Sequence, residues 1–352
     1  MKWNDAIYKL THWESWNSFI KYIPLIPVWC WYCIRSGNFW FFTAANPTLT
    51  FGGMEGETKE EMYNHLPEGT FPKSVFIEHE FGFDEVMRRI EKAGITFPLV
   101  VKPNVGMMGY MFRKVQNWEE LEKYHHAINT KYVVQHLVDF PLEVGLFYYR
   151  MPDSNHGTIS GLLTKTPPYI IGDGVNNIEQ LLDKHEGVRF KRDELKRKHS
   201  SYLAAILPFG ERFFLSDASN RTQGGDLKSI HSEIDERLVA VMDKISIFSN
   251  SFFYGRYDIK CKSIEDLKEG KNFYILEFNG SGSGVQQIFG NGYSLFKAVS
   301  IIAHHWKMMY RISNFNLKRG IGKWAFMDGM RVLKKAQRNN KALRMLDSEF
   351  VL

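Results

Sequence analysis

The feature that most constrains the fold is a pair of short apolar segments late in the chain, separated by a charged loop. The first runs Tyr254-Gly-Arg-Tyr-Asp-Ile-Lys260. The second runs Phe273-Tyr-Ile-Leu-Glu-Phe-Asn279 and continues into Gly-Ser-Gly-Ser-Gly. Polar and apolar residues alternate in both, and glycines or charged turn residues bound them. This pattern predicts two β-strands that pair as a hairpin.

Four polar side chains share one face of this predicted hairpin. Side chains two apart on a strand point the same way, which places Arg256 beside Asp258 and Glu277 beside Asn279. Carboxylate and amide oxygens suit Mg²⁺, which leaves other positions to phosphates and waters. The alternative is an ordinary hairpin whose polar face meets solvent. We favour the metal site because the glycines after Asn279 let a ligand approach the backbone closely.

Composition excludes several classes of protein. The 352 residues are 44% hydrophobic and 24% charged, as in a folded chain of two or three domains. The net charge of +6 suits an anionic ligand such as a nucleotide, and we expect no nucleic acid partner. The cysteines, Cys30, Cys33 and Cys261, are too few for a disulfide framework and favour a reducing, cytoplasmic location. We interpret Cys30 and Cys33 as buried or interfacial thiols rather than a redox pair.

The first 45 residues are rich in tryptophan, with lysines and an arginine between. We interpret this stretch as an arm that packs its aromatic side chains on the body of the protein. The alternative is a segment that rests on the inner face of the membrane, with Trp and Lys at headgroup level. Pro24 and Pro27 favour the arm, since they interrupt a long amphipathic helix. The apolar run from Tyr22 to Ile34 is too short to span a bilayer, and no signal peptide is visible.

Strand and helix patterns alternate through the rest of the chain, which predicts an α+β fold. We expect a small lobe with a glycine loop, then a large lobe that holds the metal site. The predicted divisions are residues 1–50 for the arm, 51–130 for the small lobe, 131–300 for the large lobe, and 301–352 for a C-terminal helix and basic tail.

Two further motifs carry chemistry. In Pro98-Leu-Val-Val-Lys-Pro-Asn-Val-Gly-Met-Met-Gly109, a strand delivers Lys102 and a loop with Gly106 and Gly109 follows. Such a loop presents N–H groups to phosphate oxygens while the lysine neutralises charge, although a plain hairpin with a surface lysine has the same pattern. In the second motif, the strand from Tyr132 to Val138 and the later Glu143 offer backbone groups for an adenine and a carboxylate for a ribose. The alternative there is a buried strand and a surface glutamate.

The order of these motifs resembles the ATP-grasp superfamily, in particular the D-alanine–D-alanine ligase type and the ligase domain of cyanophycin synthetase. The second likeness rests on Lys165-Thr-Pro-Pro-Tyr-Ile-Ile-Gly-Asp-Gly174. The resemblance covers about residues 57–300 and implies two α+β lobes that clamp ATP. One departure is large: such relatives carry a Rossmann-like domain before the lobes, where this chain has only the Trp-rich stretch. The acceptor site therefore cannot be transferred from them.

The resemblance implies a role for each matching residue. For ATP, Lys102 would hold phosphate oxygens and Gly106 to Gly109 would cover them. The base and ribose would be met by Gln135, His136, Leu137 and Glu143. Further phosphate contacts would come from Lys59, with Lys73 as its rival, and from Lys165 near the γ-phosphate. Two Mg²⁺ ions would be bound by Asp258, Glu277 and Asn279.

The resemblance also implies a reaction. A small-molecule carboxylate would attack the γ-phosphorus to give an acyl phosphate, and an amine or related nucleophile would then displace phosphate. Arg256 and backbone N–H groups around Ser281 and Gly282 would stabilise developing negative charge. Asn220 and Arg221 would recognise the carboxylate, or else form a plain turn.

Two alternative functions stay open at this stage. One is phosphate transfer to a hydroxyl or sugar-linked acceptor in surface-polysaccharide assembly. The other is a nucleotide-binding module without turnover, tethered to a membrane complex by the aromatic arm. The complete set of Asp258, Glu277 and Asn279 disfavours the module, because a pure binder needs no pair of metal ions.

Overall fold

The structure is a computed structural model that describes residues 8, 11–16, 18–106, 108–216, 219, 224–250, 252–350 and 352. Within these residues the strands form antiparallel sheets of four, five and two strands, with helices packed around them. This confirms the predicted α+β class. A search of the described helices finds none with the length and apolar character to cross a membrane.

Among its described residues, the N-terminal region includes the helices α1 (Ser18–Tyr22) and α2 (Ile26–Ser36), and a buried 3-10 turn at Phe41–Ala45. A proline in its first turn starts α2, and Gly37 ends it in the left-handed conformation that glycine adopts without strain. Trp29 packs edge-on against Trp306, and Tyr32 stacks on Tyr310. This part of the aromatic arm therefore packs on the body of the protein.

The smaller lobe follows. Helix α3 (Lys59–Tyr63) begins at Thr58, whose side chain accepts from the N–H of Glu61 in a capping box. The sheet consists of β1 (Ser74–Ile77), β2 (Leu99–Pro103), β3 (Arg113–Val115) and β4 (Tyr132–His136), in the order β1-β4-β2-β3. Helices α4 (Phe83–Lys92) and α5 (Trp118–Ala127) bury one apolar face each against it.

The larger lobe is the five-stranded sheet with an insertion. Strands β5 (Leu142–Tyr149) and β6 (Thr158–Thr166) are followed by an insertion with its own apolar core, made of β7 (Tyr169–Ile171), α6 (Ile178–Lys184), α7 (Arg192–Lys198) and β8 (Arg212–Phe214). Then come β9 (Asp226–Ser229), α8 (Glu236–Phe248), β10 (Tyr254–Cys261), α9 (Ile264–Lys268) and β11 (Phe273–Asn279). The sheet order is β11-β10-β5-β6-β9.

Strands β10 and β11 pair as the predicted antiparallel hairpin. Asp258 lies opposite Glu277, and Arg256 lies opposite Asn279. Because directly opposed side chains of an antiparallel pair project to the same side, this register gathers the polar groups on one face.

The chain closes with two long helices, α10 (Leu295–Lys318) and α11 (Phe326–Glu349). The predicted helical C-terminus is confirmed, and most of the predicted basic tail is itself helical, as α11, whose apolar side chains recur at helical spacing between basic residues. At one end of α11, Gly329 lies so close to Trp40 that a Cβ atom would be 2.4 Å from the indole. Near the other end, Leu343 is buried in the core of the smaller lobe. Helix α11 thus reaches from the N-terminal region to the smaller lobe.

Candidate active site

Two adjoining cavities lie between the smaller and larger lobes. The larger cavity has a volume of about 490 Å³ and the smaller one about 330 Å³. They share a wall formed by Lys59, Gly106, Met108, Gly109, Lys165, Asp258 and Glu277. The shared wall therefore combines the loop after β2, the start of α3, the end of β6 and the β10–β11 hairpin.

Asp258 is the most heavily paired group in this wall. Its Oδ1 lies 2.6 Å from Lys165 Nζ and accepts from Arg256 Nε at 2.8 Å. Its Oδ2 accepts from Arg256 Nη2 at 3.1 Å and from Asn279 Nδ2 at 3.4 Å. Burial by itself would raise the pKa of Asp258, but Arg256 and Lys165 outweigh it and hold the pKa below the ordinary range. Asp258 is therefore ionised at neutral pH.

Lysines from separate elements surround the hairpin. Lys59 Nζ lies 3.5 Å from Glu277 Oε1, and Lys102 Nζ donates to the carbonyl oxygen of Leu276 at 3.4 Å. Burial lowers the pKa of Lys102, while the nearby Glu277 opposes that shift. The N–H of Lys59 donates to Asn104 O at 3.0 Å, which joins the start of α3 to the loop after β2.

The larger cavity is lined by Gln135, His136, Leu137 and Glu143, together with Lys102. Gln135 Nε2 donates to the hydroxyls of Tyr63 and Ser74 at 2.9 and 2.8 Å, which leaves the amide oxygen as an acceptor. Glu143 Oε2 accepts from Ser219 Oγ at 2.9 Å. Burial raises the pKa of Glu143, and Lys165 partly offsets the rise. An acceptor oxygen and a carboxylate are thus available to a bound polar molecule.

The donor set on the hairpin fits Mg²⁺. Asp258 and Glu277 are opposed across the strands, and Asn279 adds an amide oxygen. Mg²⁺ needs only one or two carboxylates when phosphates and waters supply the rest. No group of three or more His, Cys, Asp or Glu side chains in the described residues could hold a metal ion by itself. The hairpin is therefore suited to a metal ion that arrives with a phosphate ligand.

The N–H groups of Ser281 and Gly282, predicted to stabilise developing negative charge, already have partners in the chain. Their N–H groups donate to Gly52 O at 3.0 Å and Gly53 O at 2.9 Å. The Ser281 hydroxyl donates to Phe42 O at 2.9 Å, so this side chain is buried away from both cavities. Gly282 lines the smaller cavity, but its N–H is already bonded. The glycine run after β11 thus serves to bind another backbone segment.

Two other predictions concern the pair Asn220 and Arg221 and the choice between Lys59 and Lys73. Asn220 and Arg221, predicted to recognise a carboxylate, lie outside the described residues. Of the rival lysines, Lys59 lines both cavities, whereas Lys73 is exposed and lines neither of the two.

Sequence reasoning missed two acids in the smaller cavity, Glu55 and Glu57. Glu57 Oε2 is buried and has no hydrogen-bond partner in the part of the chain that is described. Burial raises the pKa of Glu57 to about 7, and the nearby Glu277 and Glu55 add to the rise. These acids belong to an irregular loop without periodicity. The only signal available was the pair of acids directly before the capping box of α3.

Comparison with known proteins gives distant matches. No protein-family profile and no curated protein matches the chain. Among solved structures, a bifunctional glutathione synthetase from Pasteurella multocida is 15% identical with a TM-score of 0.41, over 74% of this chain and 38% of that one. A D-alanine–D-alanine ligase from Bacillus anthracis is 14% identical with a TM-score of 0.42, over 78% of this chain and 72% of that one.

A further match is the ATP-grasp ligase PsnB, at 12% identity and a TM-score of 0.37, over 70% of this chain and 60% of that one. All three matches have an identity of 15% or less and a TM-score below 0.5. This chain spans well under half the length of the glutathione synthetase.

Proposed function

We propose that this protein is an ATP-dependent, ADP-forming ligase that joins a carboxylate to an amine or related nucleophile through an acyl phosphate. The observation that carries the proposal is the wall shared by the two cavities. There, Asp258 and Glu277 are opposed on one hairpin, and Lys59 and Lys165 reach them from other elements.

The larger cavity provides the proposed nucleotide site. The free amide oxygen of Gln135 suits the amino group of adenine, and the backbone at Leu137 suits a ring nitrogen. Glu143 is the acceptor for the ribose hydroxyls. Lys102 neutralises phosphate oxygens, and the loop from Gly106 to Gly109 covers them. The triphosphate then points toward the shared wall.

At that wall, the chain must bring a carboxylate to a phosphate, although both are negatively charged. Lys165 and Arg256 supply positive charge where the two anions meet. Mg²⁺ held by Asp258, Glu277 and Asn279 would neutralise phosphate oxygens there. The carboxylate oxygen attacks the γ-phosphorus and ADP leaves. The nucleophile then attacks the acyl carbon from the smaller cavity and inorganic phosphate leaves.

The test is ADP release from ATP and Mg²⁺ with a panel of amino acids, hydroxy acids and sugar acids, each with and without an amine. We expect release that depends on a carboxylate. The Asp258→Asn variant should lower it at least about 100-fold, since a preorganised charge at the reacting phosphate is lost. Asp153→Asn, an exposed loop substitution, is the matched control and should keep full turnover.

Other outcomes would replace the proposal. Release with a hydroxyl acceptor that lacks any carboxylate would establish a phosphotransferase instead. Nucleotide binding without turnover under every condition, in the wild type as in Asp258→Asn, would establish a binding module.

A further inference from the structure

The segment that carries Glu55 and Glu57 is fixed at both ends. On one side, the backbone of Gly52 and Gly53 accepts hydrogen bonds from the glycine run after β11. The approach is close there, since a Cβ on Gly282 would lie 2.4 Å from Met54 O. On the other side, the N–H of Thr58 donates to Glu61 Oε2 at 3.1 Å. The wall of the smaller cavity between these points is therefore well defined.

The carboxylates of this cavity differ in their partners. Asp258 is bonded to Lys165 and Arg256, and Glu277 faces Lys59. Glu55 has no ion pair with any described residue, and the buried Oε2 of Glu57 has no hydrogen-bond partner among them. Every cation of the wall is thus engaged with the hairpin acids. A buried carboxylate oxygen without a donor is unfavourable, which makes it a site for an incoming cationic group.

We propose that Glu57, assisted by Glu55, binds the ammonium group of the nucleophile, so that the second substrate is a primary amine rather than an alcohol. The inference rests on the proposed function and makes its substrate class specific. An ammonium group offers three N–H donors to carboxylate oxygens, and it passes one proton to a carboxylate or to water before its nitrogen attacks the acyl carbon and phosphate leaves. It would be held in the same cavity as Arg256 and Lys165, beside the place where the acyl phosphate forms.

No cluster of three or more metal-binding side chains exists in the described residues, which favours an organic cation over a metal ion at Glu55 and Glu57. The raised pKa of Glu57 agrees with a carboxylate that lacks a hydrogen-bonded cation, because an ammonium group at contact distance would lower that pKa again.

The test measures binding rather than turnover. Propylammonium and its neutral analogue propanol are titrated into the full-length protein and followed by ligand-observed NMR, with and without a non-hydrolysable ATP analogue and Mg²⁺. We expect the wild type to prefer propylammonium, and Glu57→Gln to weaken that binding at least about tenfold. Glu91→Gln, an exposed helical substitution, is the matched control and should bind as the wild type does.

Several results would overturn the inference. One is that wild type and Glu57→Gln bind propylammonium with equal affinity. Another is that Glu57→Gln loses affinity for Mg²⁺ and keeps its affinity for propylammonium. If circular dichroism shows Glu57→Gln unfolded, Glu55→Gln takes its place, with a decrease of about threefold or more expected. If the proposed function itself is wrong, the ATP analogue should not bind the wild type. The titrations without nucleotide would still show whether propylammonium binding depends on Glu57.

Discussion

Asp258 and Glu57 line the same small cavity, yet their surroundings differ in every respect that matters to a carboxylate. Asp258 receives hydrogen bonds from Lys165, Arg256 and Asn279, and its pKa lies below the ordinary range. Glu57 has a buried oxygen without a partner, and burial raises its pKa to about 7. The hairpin acid is held in place by the protein's own cations, whereas the loop acid has one oxygen that no described residue satisfies.

This difference shows how one cavity separates two tasks. A group that must keep its charge and position is surrounded by fixed donors. A group that must recognise a charged substrate has to stay unsatisfied until that substrate arrives, at a cost in folding free energy. Charge alone does not distinguish Asp258 from Glu57, since both are acids. Their hydrogen-bond and ion-pair partners distinguish them.

The largest effect should follow from removing a cation on the Asp258 side. Lys165→Met deletes the 2.6 Å ion pair with Asp258 and the positive charge nearest the proposed γ-phosphate position. We expect ADP release to fall about 100- to 1000-fold. Lys196→Met, which removes a lysine paired with Glu179 and Asp183 on the surface, is the control. If turnover of Lys165→Met stayed within threefold of wild type, the proposed difference in role between Asp258 and Glu57 would be contradicted.

The two acids should also respond in opposite directions to pH. Folded Glu57 binds its proton more tightly than the unfolded chain does, because its pKa rises from 4.5 to about 7. As pH increases from about 4.5 to 7, the free energy of unfolding of wild type should therefore fall relative to Glu57→Gln, by on the order of 1–3 kcal/mol. Urea unfolding at a series of pH values measures this difference. A flat difference would contradict the burial of an unpaired carboxyl.

Asp258 gives the contrasting profile. Its folded pKa is lower than the ordinary value of 3.8, so its stabilising ion pairs are fully present above that pH. The stability advantage of wild type over Asp258→Asn should be constant near neutral pH and should shrink as pH falls below about 4. The same unfolding series measures it. An advantage that grows on acidification would show that Asp258 is not held ionised.

The smallest effect should come from Lys59, which pairs with Glu277 and lies near Glu57. Its partner Glu277 is 37% exposed and 3.5 Å away, so Lys59→Met should cost less than about 1 kcal/mol of stability. Turnover should fall about tenfold, less than in Lys165→Met, because only one phosphate contact is lost. Lys73→Met should leave turnover unchanged. If Lys73→Met lost more turnover than Lys59→Met, the phosphate contact would be assigned to Lys73 instead of Lys59.

Much of the hairpin site could be predicted from sequence, because strand alternation fixes which side chains share a face. The pairing of Asp258 with Glu277 and of Arg256 with Asn279 follows from that rule once the two strands form a hairpin. The positions of Lys102, Gln135 and Glu143 around one cavity follow from the order of motifs that also suggested the family resemblance.

The remainder depends on contacts between distant parts of the chain. Nothing local indicates that Ser281 and Gly282 bond to Gly52 and Gly53, more than 200 residues earlier, or that this pairing brings Glu55 and Glu57 to the cavity. The extent of α11 could not be predicted for a different reason: its basic residues are conspicuous, and the apolar positions between them are few.

Helix α11 also fastens the glycine loop. Asp347 accepts from the N–H of Met111 at 2.8 Å and from Arg113 at 2.8 Å, and Asn339 donates to Val105 O at 3.1 Å. The C-terminal half of α11 therefore holds the loop after β2 and the start of β3 in place. Removing the chain from Asn339 onward should free that loop and uncover the core of the smaller lobe around Leu343, so nucleotide binding would weaken although no phosphate-binding residue has been removed.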